Sequence, residues 1–448
     1  MLSAVSFKIY EMRRYLVLSL VISMLAIPIA NSFVIQRDRN RNEMYGEAFW
    51  IYGFGVYNMT DQELAESLPE EWGFNDGDHV LPDYLGNITY EYPVFGLIFF
   101  SIATALFPGV NQLQPLWLNF LLVLVFNLNL VLIAILLKDR IYTENWARLF
   151  FGGYFVYGLI MSAGGGKLEP IVDCLLLMAL VLRQEEQMGK AMFTLGLAVQ
   201  TKIYPAVAFP LFFLDAPMAS IWFFISALLT VIPFAFAGVG FESLIMHFLN
   251  TSSYSAHIVN TLYPGLAFAT PDLTQDPITH YPWPPALIPL VLYVAFFIYT
   301  VPLYLPTLSE LRTKSWRERI DSLVPLYVYM LPTILFVFRW VMPWYLFWMG
   351  IMIFFFERDK YSIGYLKEIT VVGLLYSCGL AFNWPYFISA PLHDFLSHFT
   401  SGWYTIIGVL LMILVTIVSY FIWKVEIERR EKRAKAVREA EERGELII

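Results

Sequence analysis

Long apolar runs separated by short charged ones set the pattern of this chain. Read in windows of roughly 20 residues, the runs fall at 15–35, 116–137, 147–163, 168–182, 190–201, 204–214, 218–237, 285–305, 322–338, 343–356, 366–384 and 403–423. The pattern predicts an all-α integral membrane protein of about twelve transmembrane helices. A further apolar stretch, 93–108, is short and amphipathic in its setting, so it is read as lying at the surface. The runs at 190–201 and 204–214 are also short. They flank Thr201-Lys202-Ile203-Tyr204-Pro205, where Pro205 cannot donate a backbone hydrogen bond, and read as two half-helices meeting at a break. Segment 15–35 is too long for a cleaved leader and lacks a small-residue cleavage site, so it reads as an anchor.

Composition agrees with the pattern. Hydrophobic residues make up 58% of the 448 and charged residues 15%, against about 25% charged in soluble domains. The two cysteines, Cys174 and Cys378, both lie in apolar runs, which excludes a disulfide framework or a cysteine-ligated metal.

Charge then assigns the sides. With a cytoplasmic amino terminus and 93–108 not crossing, 23 of the 29 Lys and Arg fall on the cytoplasmic side, as the positive-inside rule demands. Were 93–108 to cross, Lys138, Arg140, Arg148, Arg183 and Lys190 would move outside. Both termini are therefore read as cytoplasmic, with 424–448 a charged helical tail. Two large outer loops follow: 36–108, with interfacial helices, and 238–284. The net charge of −8 is concentrated in 36–92, which holds twelve acids and three arginines. No basic surface points to nucleic acid. Within the first loop, Met44, Ala48, Ile51 and Gly55 share one helical face, which suggests a collar of helices on the outer surface.

Six cations fall outside: Arg37, Arg39, Arg41, Lys167, Lys202 and Arg339. So do all six histidines and the sequons at Asn58, Asn87 and Asn250. Ionisable groups near the bilayer edge need partners or water, which makes them functional candidates. Lys167 follows Gly164-Gly165-Gly166 and precedes Glu169. Glycines allow a tight turn that exposes amide groups to an anion. Lys202 stands at the helix break, and Arg339 beside Trp340 between two predicted spans. Three isolated cations at one depth suit a phosphate at the membrane surface. Each also has a plain reading, as a lysine or arginine reaching for headgroups. Among the acids, Asp38, Glu43 and Glu47 stand nearest the first span, and Glu91 lies between Tyr90 and Tyr92 ahead of Pro93. Solvation or ion pairing is the plain reading of each. The histidines show no metal-ligand spacing, and soluble-enzyme motifs are absent.

These residues together resemble the GT-C superfamily of multi-span glycosyltransferases. The nearest branch is the polyprenyl-phosphate-mannose-dependent mannosyltransferases related to the mycobacterial phosphatidylinositol-mannoside enzymes. An acid soon after the first span, a loop closed by Tyr90-Glu91-Tyr92-Pro93-Val94, the Gly164-Gly165-Gly166-Lys167 turn, and Gly196-Leu197-Ala198 followed by Lys202-Ile203-Tyr204-Pro205 carry the resemblance over 15–215. The family acid is usually Asp and its closing element carries two prolines; here Glu43 is the best-placed acid and Val94 takes the second proline's place. The resemblance implies transfer of a hexose, mannose in that branch, from a polyprenyl or dolichyl phosphate to a lipid-linked or glycan acceptor on the outer face. It implies Glu43, Asp38 or Glu47 as base, with Glu43 ahead because Arg37 and Arg39 flank Asp38 and hold it ionised. Lys202, Arg339 and Lys167 would hold the donor phosphate; Tyr90, Glu91, Tyr92, Glu169, Tyr204 and Trp340 would contact substrate. One base opposite a departing phosphate implies inversion, with no cofactor and no metal. A secondary transporter or lipid-sugar flippase is the competing class, since a broken helix suits one. A non-catalytic assembly subunit is a third.

Overall fold

The computed structural model describes residues 2–30, 37–74, 79–80, 89–90, 92–109 and 113–239, with Ile351, Phe354 and Lys432. The predicted spans from 285 onward, most of the loop 238–284 and nearly all of the tail lie outside the described residues. Among the described residues the regular structure is helical, with one isolated bridge between Thr60 and Thr89.

Helix α1 runs from Leu2 to Ala30, so it begins well before the predicted span, whose last residues lie outside the described ones. Its first turns are polar and carry a Lys8–Glu11 ion pair at 2.9 Å; its apolar half packs on α5, Leu113–Leu137. Among the described residues two helices are long and apolar enough to cross a membrane: Pro115–Leu137, and Pro217–Ala237, which contains α11, Ser220–Ala237. Three asparagines interrupt the apolar face of α5, and two of them bond to neighbouring elements. Asn119 Nδ2 donates to Ala163 O at 3.0 Å, and Asn129 Nδ2 donates to Pro170 O at 2.7 Å and to Tyr154 Oη at 2.8 Å. Such bonds act as glue between apolar helices, where the hydrophobic effect gives no preference for a partner.

The first loop folds as α2, Arg37–Tyr52, then a 3₁₀ turn Gly53–Asn58, α3, Asp61–Ser67, and α4, Val94–Thr104. A capping box starts α3: Thr60 Oγ1 accepts from Glu63 N, and Glu63 Oε2 accepts from Thr60 N. With 11 residues, α4 is about 16 Å long, half of what a bilayer requires. The predicted helical face of this loop holds only in part. Met44 and Ala48 are fully buried, but Ile51 is exposed, because α2 stops at Tyr52 and the chain tightens into the 3₁₀ turn.

Nor does α2 lie open as a collar. Residues 41–48 are all buried, although α2 is rich in charge. α4 crosses it closely at Gly46, where a Cβ would sit 2.7 Å from the Phe100 carbonyl carbon. Burial is possible because the charges meet partners. Arg41 forms two bonds to Asp61, at 2.7 and 2.9 Å, and Tyr45 Oη donates to Asp61 Oδ1 at 2.8 Å.

The single turn α6, Arg140–Thr143, links α5 to α7, Asn145–Leu159. α7 ends in a π-turn, Ile160–Gly164. Then α8, Glu169–Gln184, and α9, Met188–Val199, form a hairpin, and α10, Phe209–Asp215, leads toward α11. Two ion pairs fix the sense of the break between α9 and α10. Lys202 meets Glu169 at the start of α8, and Asp215 meets Arg183 at its end. The chain therefore reverses at 200–203 and runs back along α8.

Gly196 lets α9 and α11 approach. A Cβ there would lie 1.8 Å from Ser226 Oγ and 3.0 Å from Phe223 O. Gly196→Ala should lower the melting temperature in detergent, at a cost of roughly 1–3 kcal/mol for overpacking. Adding Ser226→Gly should restore part of it, and a variant as stable as wild type would refute this contact.

Candidate functional site

The glycine turn is built by the π-turn before it. Gly165 N donates to Ile160 O at 2.8 Å, and Lys167 N donates to Met161 O at 2.9 Å. This wide turn carries Gly166 to φ +55°, a conformation open to glycine at little cost. A Cβ at Gly166 would also lie 2.6 Å from Arg39 Cδ and 2.9 Å from Asn119 Oδ1. The turn is thus a seat for the Arg39 stem. Lys167 follows it with its side chain buried.

Across from the turn, Lys202 Nζ donates to Glu169 Oε1 at 2.6 Å and lies 5.3 Å from the centre of the Tyr92 ring. Glu169 is 1% exposed, and its Oε2 accepts no hydrogen bond. The start of α4 docks on the helix break: Phe95 N donates to Gln200 O at 3.1 Å, and Gly96 packs on Leu168 and Thr201. Tyr92 leads to Tyr90, with ring centres 5.6 Å apart. Tyr90 Oη in turn donates to Asn42 Oδ1 at 2.8 Å, beside Glu43.

Glu43 and Glu47 lie one turn apart on α2, both buried. Arg39 Nε is 3.4 Å from Glu43 Oε1, an oxygen that accepts no hydrogen bond. Burial pushes the Glu43 carboxyl up to about 8; Arg39 offsets part of this and Glu47 adds to it. Burial also pushes Glu47 up to about 7, against the Gly109 N–H that its Oε2 accepts at 2.6 Å. Burial lowers the pKa of the Arg39 guanidinium, and Glu43 partly restores it.

Glu43, Glu47, Tyr90, Tyr92, Lys167, Glu169, Lys202 and Tyr204 thus belong to one connected region around the glycine turn. Asp38 lies in α2, and nothing of its side chain is described. Glu91, Arg339 and Trp340 lie outside the described residues. Among the described residues, no three His, Cys, Asp or Glu side chains come together as a metal site requires.

Arg39, one of the six outer cations, stands over Glu43 at helical i,i+4 spacing. Two further residues of this region carry little mark in the sequence pattern. Asp61, the partner of Arg41, is one of the twelve acids of 36–92. Asp173 is fully buried in α8; Tyr204 Oη donates to its Oδ1 at 2.6 Å, and Tyr154 Oη to its Oδ2 at 3.1 Å. A lone acid in an apolar run is its only signal.

Compared with known protein families, characterised proteins and solved structures, the chain matches none.

Proposed function

We propose that the protein is a membrane glycosyltransferase of about twelve spans. It transfers a hexose, mannose by its resemblance, from a polyprenyl or dolichyl phosphate to a lipid-linked or glycan acceptor. The region just described would face the outer side, with both termini in the cytoplasm. One observation carries the reading: Arg39, seated on the glycine turn, pairs with the buried Glu43 carboxyl, and the Tyr90–Tyr92 rings lead from Asn42, beside Glu43, to Lys202. Such a pairing of a perturbed acid with a cation is a functional-site candidate.

The roles follow from charge. Glu43 takes the proton of the acceptor hydroxyl as that oxygen attacks C1 of the sugar. The C1–O bond to the phosphate breaks, and the lipid phosphate leaves with the bonding pair. Lys202 meets the charge it gains, and Arg339 joins it by the sequence reading. Attack opposite the leaving group inverts the anomeric carbon. Tyr92 offers an aromatic face beside Lys202 for the sugar.

The deciding experiment is transfer of radiolabelled mannose from polyprenyl-phosphate mannose to a lipid or glycan acceptor by purified protein in detergent. No membrane separates two compartments there, so a transporter or flippase yields no labelled product. Lys202→Ala should raise the donor KM, or lower kcat, by at least ~10-fold through loss of one cation from a phosphate. Wild-type kinetics would return Lys202 to a structural partner of Glu169.

A further inference from the structure

Asp173 has no part in the transfer just described. It lies one turn along α8 from Glu169 and is fully enclosed. An ionisable group in such a place is costly and is kept only with partners. Its partners come from two directions. Tyr204 reaches it from the reversal between α9 and α10, and Tyr154 from α7. Asn129 on α5 holds Tyr154 in turn. Tyr204 is two residues from Lys202 and is followed by Pro205, whose ring restricts the backbone. Lys202 therefore stands between two anchors. Ahead of it, its own N–H and that of Thr201 donate to Ala198 O, and Phe95 N donates to Gln200 O. Behind it, Tyr204 is bonded to Asp173.

We infer that Asp173 and Tyr204 form a strut that holds Lys202 against Glu169 and beneath Tyr92, and that both are positioning residues of the phosphate site. Lysine has a flexible four-carbon stem, and its charge is useful at a fixed point only if its backbone is fixed. Tyr204 thereby takes a role other than substrate contact, because its hydroxyl points to Asp173. The consequence for donor binding rests on the glycosyl-transfer reading; the placement of Lys202 does not.

The test has two readouts on the full chain in detergent. The first is the rate of reductive methylation of Lys202, read by peptide mass spectrometry, with exposed Lys138 and Lys190 as internal standards. Lys202 retains 15% side-chain exposure, so reagent can reach it, and the Glu169 pair helps hold it in place. Tyr204→Phe and Asp173→Leu should each speed its labelling by roughly 10-fold, the equivalent of one charge-assisted hydrogen bond. Asp173→Asn retains an oxygen for Tyr204 and should stay near wild type. The second readout is kinetic. Tyr204→Phe should raise the donor KM by a similar factor of roughly 10 with kcat and acceptor KM little changed, and should add nothing in a Lys202→Ala background.

Unchanged Lys202 labelling in Tyr204→Phe overturns the inference, whatever the activity. So does a donor KM effect of full size in the Lys202→Ala background, which would mark a general structural defect. Should Asp173→Leu fail to fold, Tyr204→Phe, which removes one oxygen, carries the test. A wild-type protein that transfers no sugar removes the glycosyl-transfer reading, and the labelling still decides the strut.

Discussion

Glu43→Gln should cut kcat by about 10²–10⁴-fold, the usual contribution of a general base, while donor binding and the fold persist. Glutamine keeps the size of the side chain and removes its ability to take a proton. The placement of Glu43 suits a base, since it is buried beside Arg39 with one carboxylate oxygen free of hydrogen bonds. Burial lifts its pKa to about 8, near the pH at which a base combines availability with strength. The base works in its ionised form, so kcat/KM should climb as pH rises toward about 8, and this limb should vanish in Glu43→Gln. The same shift affects stability with the opposite sense. The folded protein holds the Glu43 proton more tightly than the unfolded chain does, so stability falls as pH rises from the ordinary carboxylate range to about 8. Glu43→Gln should flatten that slope in a series of melting curves. If Glu43→Gln keeps more than a tenth of the activity and Asp38→Asn abolishes it, Asp38 is the base. Loss in Glu47→Gln alone would move the role one turn along α2.

Asp61→Ala should destabilise the protein by about 3–5 kcal/mol, the cost of breaking a buried ion pair from one side. Arg41 and Asp61 are both buried and joined by two bonds, and Tyr45 adds a third to the same carboxylate. Removing the carboxylate leaves the charge of Arg41 enclosed without it and takes from the Tyr45 hydroxyl its shorter bond, leaving the Met59 carbonyl at 3.4 Å. Replacing both partners by apolar residues, Arg41→Met with Asp61→Leu, should recover most of the loss, since the penalty lies in the orphaned charge. Denaturant unfolding of wild type, Arg41→Met, Asp61→Leu and the double variant forms a double-mutant cycle. An Asp61→Ala loss below about 1 kcal/mol, the size expected of an exposed pair, would show that this pair is open to water.

Much of the helical frame is legible in the sequence because its signals are local and additive. The apolar runs at 116–137, 147–163, 168–182, 190–201, 204–214 and 218–237 all fall on described helices. Pro205 and the glycine triplet mark the two places where helices break. The motifs around Lys202 and Gly166 are legible too, because their residue types are unusual at that depth. What escapes depends on distant partners. Asp173 becomes conspicuous only when Tyr154 and Tyr204, 19 and 31 residues away, converge on it. A hydropathy window averages one acid into its apolar neighbours and erases it. α2 departs from the pattern for a related reason. Its charges predict a helix at the surface, yet pairing with Asp61, Gly109 and its own i,i+4 neighbour makes burial tolerable.

The enclosure of α2 has a consequence for how the chain assembles. A segment with this much charge cannot enter a packed interior before the groups that neutralise it are in place. Asp61 arrives 20 residues after Arg41, but the Gly109 amide that meets Glu47 arrives 62 residues after it. Gly166, the seat of Arg39, is made later still. On the membrane reading proposed above, α2 would wait in water while α5 and the helices after it insert, and would close over them once Gly109 and Gly166 are made. Membrane helices associate after insertion in a separate stage, and here that stage would form the site as its final step. A chain stalled before residue 166 should hold its first spans in the bilayer with α2 still open to protease.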